Sequence, residues 1–437
     1  MHYFRIFCLL LWSWAGTALA SSLPPLSENE AYKPILVEGE DLPMALGVPL
    51  EELSLAAIVD DVMEPVPFQI DQYSEGGAPW FDGWEIPLAG ASGRLNPTDK
   101  LLFIYKDAGP RRVSDVPVDG TVLADITLTD SDGVERHVYL LRHSRLRSEE
   151  QYVRYSAELG QVETDFYSLR YQGNNHLRWD DLQFAGFVGE RPLDSMKLKV
   201  SGGVMLPQLR MDLTNDNMVA TPAGAIIGPI RTTTQADFNV HFMGVHVVRF
   251  SLQIHHYPKS VIYDVRGVMP GMLRQFAAEP TVSMEVDANS MLGAQVRTAT
   301  GPQQPATVDG KMGELESAML QAGMNREQNW VWVSSKRNLD ILAFLDYAGD
   351  FNEPFSLLLQ DDLHMQEDGE MFPGRLPSVG YRIDHLPEGG SIGILASIYF
   401  SADFGGEPGQ VAQQLRTQPE MRVIPVQNAI PGELANR

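Results

Sequence analysis

The densest group of polar and aromatic residues in this sequence is NNHLRWDD at positions 174–181. His176 can remove a proton from a substrate, and Arg178 can neutralise a carboxylate. Trp179 adds an aromatic face against which a sugar ring can stack. These residue types therefore suit removal of the proton beside a carboxylate in a sugar acid. A surface loop with a half-buried tryptophan and a solvated Arg–Asp pair explains the same pattern.

A second group of candidate residues contains four histidines. His255 and His256 are followed by Tyr257 in a segment that reads as a strand. Neighbours in a strand face opposite sides, so the two histidines cannot chelate one metal together, and we take His255 as the one that faces a cleft. His241 and His246 flank a predicted hairpin turn and should approach each other. They suit either a metal pair or a solvated hairpin rim.

Two pairs of tryptophans are spaced so that each pair can act together. Trp80 and Trp84 are four residues apart, and Trp330 and Trp332 alternate in a predicted strand, so the latter share one face. Either pair could stack on sugar, but core packing explains the second pair better. Trp80, Trp84 and Trp179 are therefore our candidate substrate-binding residues.

The sequence leaves the cofactor unknown, and calcium is the one that its acidic segments could bind. The segment 130–135 (DSDGVE) lacks the twelve-residue spacing of a calcium loop, and a tight hairpin turn explains it better. The segment 361–370 (DDLHMQEDGE) is denser in carboxylates and suits either calcium or a solvated acidic loop. The sequence has no Walker loop, HExxH or CxxCH motif.

The charge balance narrows the choice of partners. The 437 residues include 33 Lys and Arg against 57 Asp and Glu, for a formal net charge of -24. Such an excess of acids argues against nucleic acid and against anionic lipid as partners. A polysaccharide or oligosaccharide remains compatible, although a polyanionic one would need a local basic cleft. The sequence does not specify an oligomeric state.

The first twenty residues have the organisation of a secretory signal peptide. Arg5 precedes an apolar stretch at 6–14, and Ala18 and Ala20 form a small-x-small cleavage site. The stretch is too short for a bilayer core of about 30 Å, and an uncleaved anchor is the alternative. Cleavage would remove Cys8, the only cysteine, and would leave no thiol chemistry. We expect a periplasmic or secreted protein without a transmembrane segment in the mature chain.

Short runs of alternating residues predict a mainly β fold. Apolar residues alternate over 122–128, and Asp132-Gly133 would turn the chain into the next strand. Similar runs recur along the chain, and the one convincing helix covers 313–323. We predict an N-terminal β-sandwich domain at 21–147 and a large antiparallel β-sandwich domain at 148–437, with few helices.

Five stretches carry a resemblance to known proteins: VPFQID at 66–71, DKLLF at 99–103, GPIRTTT at 228–234, FSLQIHHY at 250–257 and VIYDV at 261–265. They resemble galactose-mutarotase-like supersandwich proteins, including exo-rhamnogalacturonan-lyase-type polysaccharide lyases and related periplasmic proteins. In that group a PxQxD strand precedes a DELVF strand, and a GPxR motif opens a long strand. Lys100 departs from the pattern, because the group has an acidic residue there.

The resemblance implies a supersandwich-like second domain and adds two candidate residues. Arg231 would anchor a substrate carboxylate with two hydrogen bonds, and Tyr263 is the second residue carried by the resemblance. A surface ion pair explains Arg231 equally simply. With His176, Arg178 and His255, these residues form our candidate catalytic set for a polysaccharide lyase.

Three classes of function stay open on the sequence alone. The first is an exported carbohydrate-active or carbohydrate-binding protein, with a polysaccharide lyase as its most specific form. It predicts that the candidate catalytic set converges on a concave sheet face. The second is a non-catalytic periplasmic binding or assembly protein, which predicts no convergent site. The third is an accessory β subunit of an exported complex, which predicts a large exposed apolar patch.

Overall fold

The computed structural model describes residues 23–113, 115–173, 175–204, 206–242, 245–269, 278–349, 351–365, 372, 374–386 and 390–426. The predicted signal peptide at 1–20 lies outside these ranges, as does the segment 366–370 of the second acidic stretch. The described residues form mainly antiparallel β-sheet with a few short helices. The predicted mainly β fold class is confirmed.

The described strands are, in chain order, β1 (Pro34–Glu38), β2 (Leu53–Val59), β3 (Val62–Pro65), β4 (Phe68–Asp71), β5 (Lys100–Ile104), β6 (Thr121–Thr129), β7 (Glu135–Arg142), β8 (Arg154–Ser156), β9 (Gln161–Glu163), β10 (Tyr167–Gln172), β11 (Asn175–Phe184), β12 (Leu193–Val204), β13 (Leu206–Leu213), β14 (Met218–Ile227), β15 (Thr232–Phe242), β16 (Val245–Tyr257), β17 (Ser260–Met269), β18 (Ala278–Ala288), β19 (Gln295–Thr298), β20 (Ala306–Thr307), β21 (Val331–Ser334), β22 (Asp340–Tyr347), β23 (Phe355–Asp362), β24 (Arg375–Ile383), β25 (Gly390–Ser401) and β26 (Glu420–Pro425). The α-helices are α1 (Glu28–Ala31), α2 (Glu314–Ala322) and α3 (Pro408–Arg416).

Two small sheets enclose the N-terminal core. Their strand orders are β1-β5-β4 and β26-β6-β7-β2-β3. Apolar side chains from both sheets meet in one cluster, which includes Val37, Leu101 and Ile126. The alternation predicted over 122–128 lies in β6, and the chain turns into β7 at 132–133, where glycine supplies a positive φ of 77°.

The last described strand returns to the first part of the chain. β26 runs antiparallel to β6, with Glu420 opposite Thr129 and Pro425 opposite Ala124. β26 therefore lies within the range predicted for the second domain but completes a sheet built mainly from the first. The predicted boundary at residue 147 stays a prediction.

The rest of the chain forms a large sandwich of antiparallel sheets. Its largest sheet has nine strands, in the order β14-β15-β16-β17-β25-β22-β21-β19-β20. A five-stranded sheet (β13-β12-β18-β24-β23) and a four-stranded sheet (β11-β10-β9-β8) pack against it through one extended apolar core. The nine-stranded sheet thus has an inner face, which carries Leu252 and Ile254, and an outer face, which carries Gln253 and His255.

One of the helices, α2, occupies the position that the sequence predicted. α2 lies within the predicted range 313–323 and ends at Gly323, whose φ of 68° suits glycine. α3 begins at Pro408, a residue type favoured at the first position of a helix, and it packs on the outer face of the nine-stranded sheet. Within the described ranges, no helix has the length and apolar character needed to cross a membrane.

A small apolar cavity of about 50 Å³ between the sheets offers a stability test. Ala288 lines this cavity, so Ala288→Val should fill part of it and raise the free energy of unfolding by about 1 kcal/mol. Ala236 is equally buried in a strand but does not line the cavity, so Ala236→Val should lower stability by about 1–3 kcal/mol through overpacking. Urea unfolding of both variants would measure these changes in the free energy of unfolding. Equal losses of stability in the two variants would contradict the cavity assignment.

Candidate functional site

The five residues of the candidate catalytic set lie in three different environments. His176 and Tyr263 are buried inside the sandwich. Arg231 and His255 are also buried, but they lie on the outer side of the nine-stranded sheet. Arg178 is partly exposed and forms an ion pair at the surface. The set therefore does not converge on one concave face.

Arg231 is part of a buried joint between the N-terminal sheets and the large sandwich. Its guanidinium forms an ion pair with Asp71 and donates a hydrogen bond of 2.8 Å to the hydroxyl of Tyr257. The side-chain oxygen of Gln69 accepts hydrogen bonds from the backbone N–H groups of Ile230 (3.1 Å) and Arg231 (2.8 Å). The PxQxD and GPxR stretches of the resemblance are thus joined by hydrogen bonds and an ion pair. Asp71 neutralises the arginine that was expected to bind a substrate carboxylate.

Gly228 is required by the same joint. A Cβ atom at this position would lie 2.2 Å from the side-chain oxygen of Gln69, which is far closer than any non-bonded contact. The first residue of the GPxR stretch must therefore be glycine for Gln69 to reach the backbone of the following residues. The motif has a structural role that explains its residue types.

His255 belongs to a second buried polar group on the outer face. Its Nδ1 lies 3.0 Å from the hydroxyl of Thr233, and its Nε2 lies 3.8 Å from a carboxylate oxygen of Asp264. Arg266 donates to both oxygens of that carboxylate, at 2.8 and 2.9 Å. Burial lowers the pKa of His255, and the nearby carboxylate of Asp264 opposes this shift without cancelling it.

An irregular segment, 72–98, covers this polar group. Gln253 donates to a backbone oxygen of the segment at 2.9 Å, and Arg266 donates to two more at 3.1 Å. Trp80 and Trp84, the tryptophans predicted to bind a substrate, both belong to the segment and are half-buried. His255 is therefore buried beneath the segment that contains these tryptophans, and it does not lie in an open cleft.

The remaining candidates meet in the interior of the sandwich. The indole N–H of Trp179 donates to the hydroxyl of Tyr263 at 2.9 Å. The Tyr171 ring stacks on His176, with ring centroids 4.8 Å apart, and its hydroxyl lies 3.3 Å from Nε2 of His256. Burial lowers the pKa of His176 to about 4 and that of His256 to about 3, so both are neutral at pH 7. These residues stabilise a core, where a polymer cannot reach them.

A polar pocket of about 430 Å³ opens elsewhere on the outer face, near the end of the sheet where β19, β21 and β22 meet the loop before α3. Most of its charged and aromatic lining was not among the candidate residues. The side chains that matter for its chemistry are Arg297, Trp332, Lys336, Asp340, Asp403 and Glu407. They come from segments far apart in the sequence.

Trp332 and Asp340 form the floor of this pocket. The indole N–H of Trp332 donates to a carboxylate oxygen of Asp340 at 3.4 Å, and the backbone N–H of Phe404 donates to the same oxygen at 3.3 Å. Burial raises the pKa of Asp340, and the nearby charge of Asp403 adds to that shift. At the rim, Arg297 and Glu407 form an ion pair of 2.8 Å.

The strand pattern around Trp332 was predicted in part. Val331 and Val333 face the inner core, so Trp330 and Trp332 share the outer face, as expected. Both tryptophans pack against the apolar cluster beneath α3, but Trp332 also lines the pocket. The W-x-W alternation was the available signal. The pocket itself depends on the loop at 402–408, which no local pattern connects to β21.

The described residues offer little for a metal ion. No group of three His, Cys, Asp or Glu among them is arranged to hold one. His241 and His246 take opposite positions on β15 and β16, which confirms the predicted approach of their backbones. The acidic segment 361–370 is only partly described, so calcium binding stays a prediction.

Comparison with known proteins does not assign the chain to a family. No protein-family model matches it, and no curated protein is similar to it. An alpha-mannosidase from Enterococcus faecalis V583 aligns with 91% of this chain and 45% of its own, at 10% identity and a TM-score of 0.45. A glycosyl hydrolase family 38 protein from Enterococcus faecalis aligns with 91% of this chain and 46% of its own, at 9% identity and a TM-score of 0.46.

A third solved structure, the Slr1438 protein from Synechocystis sp. PCC 6803, aligns with 58% of this chain and 97% of its own, at 9% identity and a TM-score of 0.34. This chain spans less than half the length of either Enterococcus protein. TM-scores of this size carry no argument about function. The galactose-mutarotase-like resemblance stays a prediction.

Proposed function

We propose that this protein is an exported carbohydrate-binding protein that holds a saccharide in the pocket beside Trp332. The observation that carries the proposal is the pocket of about 430 Å³, in which an indole ring and several polar side chains converge. Small-molecule sites typically measure about 300–1,000 Å³ and combine aromatic walls with a few polar groups. The size and the lining both fit a short saccharide.

The lining suits the two kinds of surface that a sugar ring presents. The C–H groups of a pyranose form an apolar face, which can lie against the indole of Trp332. The hydroxyl groups both donate and accept hydrogen bonds. The side-chain amides of Gln295 and Asn338 and the carboxylate of Asp403 line the same pocket and supply matching donors and acceptors.

Export is the second part of the proposal and rests on the sequence. Residues 1–20 have the charged, apolar and small-residue regions of a secretory signal, and the remainder contains no cysteine. A saccharide ligand outside the cytoplasm is consistent with both features. Mass determination of the N-terminus after expression in a bacterial host would test cleavage after Ala20.

The proposal stops at binding and does not extend to eliminative cleavage. A lyase needs a base and a cation around one substrate, and the candidate catalytic residues share no such environment. Assembly and accessory-subunit roles predict no saccharide binding, so one binding experiment separates them from the proposal. The acidic oligosaccharides of that experiment can also be assayed, with and without calcium, for the ultraviolet absorbance of unsaturated uronic-acid ends.

Trp332→Ala should weaken saccharide binding about tenfold, because the ring supplies the stacking surface and tenfold corresponds to about 1.4 kcal/mol. Isothermal titration calorimetry against a panel of neutral, amino and acidic oligosaccharides would measure this loss. Trp332→Phe keeps an aromatic ring and should lose less affinity. Tyr155→Ala removes a half-buried ring that is not part of the pocket lining and should leave affinity unchanged. Absence of binding across the panel would contradict the proposed function.

A further inference from the structure

The pocket beside Trp332 already holds an ammonium group from the protein itself. Nζ of Lys336 lies 5.4 Å from the centroid of the Trp332 ring. An ammonium above an aromatic face is attracted by the ring quadrupole. Lys336 is exposed and lies in the turn between β21 and β22, so its long side chain can leave the ring without disturbing the core.

Two carboxylates line the same pocket and receive only neutral hydrogen-bond donors. Asp340 accepts from the indole of Trp332 and from the backbone N–H of Phe404. Asp403 accepts from the backbone N–H of Gly405 at 2.8 Å. Within the described part of the chain, neither carboxylate forms an ion pair with a lysine, arginine or histidine. Their negative charge is therefore open to a cation from outside.

The other charged residues of the pocket do not remove this negative charge. Arg297 is paired with Glu407 at the rim, with 2.8 Å between Nη1 and Oε2. Lys336 is then the one remaining cation among the described lining residues, and it lies over the ring. The pocket thus combines an aromatic face that accepts an ammonium with two carboxylates beside it.

We infer that this pocket takes a saccharide that carries a protonated amine, whose ammonium replaces that of Lys336 over Trp332 and lies beside Asp340 and Asp403. This inference rests on the proposed function and narrows its ligand class to amino sugars. Lys336 acts as an internal competitor that occupies the ring in the free protein. A neutral sugar gains the stacking contact but leaves both carboxylates without a cation.

The protonation of Asp340 gives the inference a pH dependence. The charged groups around this carboxyl are Asp403, Lys336, Arg297 and Glu407. Burial holds the pKa of Asp340 above its usual value in the free protein, whereas a bound ammonium favours the carboxylate and lowers that pKa. The free protein thus binds more protons than the complex, so affinity for a cationic sugar should fall as the pH is lowered through the raised pKa.

The test compares three sugars that differ in the group on one carbon atom. Glucosamine carries the ammonium, N-acetylglucosamine carries a neutral amide, and glucose carries a hydroxyl. Calorimetric titration of the mature protein near pH 6.5 should give at least about tenfold tighter binding of glucosamine than of the two neutral sugars. Asp403→Asn should remove most of that preference, because asparagine keeps the shape of the side chain and removes its charge.

Lys336→Met tests the internal competitor. Without the competing ammonium, glucosamine affinity should rise several-fold, and it should rise more than that of glucose. Lys311 is an exposed lysine outside the pocket, so Lys311→Met is the matched control and should change neither affinity.

Equal affinity for all three sugars, with no effect of Asp403→Asn, would overturn the amino-sugar inference and leave saccharide binding intact. If no saccharide binds at all, the result would instead overturn the proposed function.

Discussion

Lowering the pH from about 7.5 to about 5 is expected to cost roughly 4 kcal/mol of the stabilisation contributed by His176 and His256 together. Both histidines are buried in the sandwich core, and burial lowers their pKa values to about 4 and about 3. An unfolded histidine has a pKa of about 6.5. Between these values the unfolded chain binds more protons, so their contribution is present above about pH 6.5 and is lost as the pH falls.

Urea unfolding at a series of pH values would measure this loss. His176→Gln and His256→Gln should each remove about half of the histidine contribution to the pH dependence, whatever their effect on absolute stability. The buried carboxyl of Asp107, whose pKa burial raises to about 6, acts in the opposite direction. The quantity to compare is therefore the difference in the free energy of unfolding between wild type and variant at each pH. If that difference did not change with pH, the assignment to these histidines would be contradicted.

Asp71→Asn is expected to lower the free energy of unfolding by about 3–5 kcal/mol, because it leaves the Arg231 guanidinium buried without its counter-ion. The side chains of Arg231 and Asp71 are only 3% and 2% exposed. Asparagine keeps nearly the same shape and can still accept the hydrogen bond that Gln69 donates at 2.8 Å. The loss therefore reports mainly on charge.

A double-mutant cycle with Arg231→Met would isolate the interaction. The double variant should lose less stability than the sum of the two single variants, because removing both partners leaves no unpaired charge. The surface pair of Arg178 and Asp216, which is 34% and 52% exposed, supplies the matched control. Asp216→Asn should cost less than about 1 kcal/mol. Equal losses of stability for Asp71→Asn and Asp216→Asn would show that the buried ion pair contributes no more than the surface pair.

Local sequence patterns predicted the elements better than they predicted the site. Alternation of apolar residues is sufficient to find a hairpin such as β6–β7, because the period of a strand is visible over a few residues. The same alternation made Trp330 and Trp332 share one face. It could not tell which part of that face stays open, since α3 covers one part and the pocket occupies another.

The candidate residues were chosen by chemical type, and type does not determine burial. His176, Trp179 and Tyr263 satisfy one another inside the core, which a list of polar residues cannot reveal. The pocket needs β21, β22 and the loop at 402–408 together, and the long-range pairing of β22 with β25 brings them there. The resemblance identified the stretches around Gln69 and Arg231, but not their contact with each other.

The pairing of β26 with β6 makes the order of synthesis matter for this chain. β6 is synthesised well before its neighbour β26, because the strands of the large sandwich lie between them in the sequence. Until then β6 is an open edge with unpaired backbone groups, and such edges promote pairing with other chains. A chain held unfolded until β26 has been made would avoid that hazard, so delayed folding suits this topology.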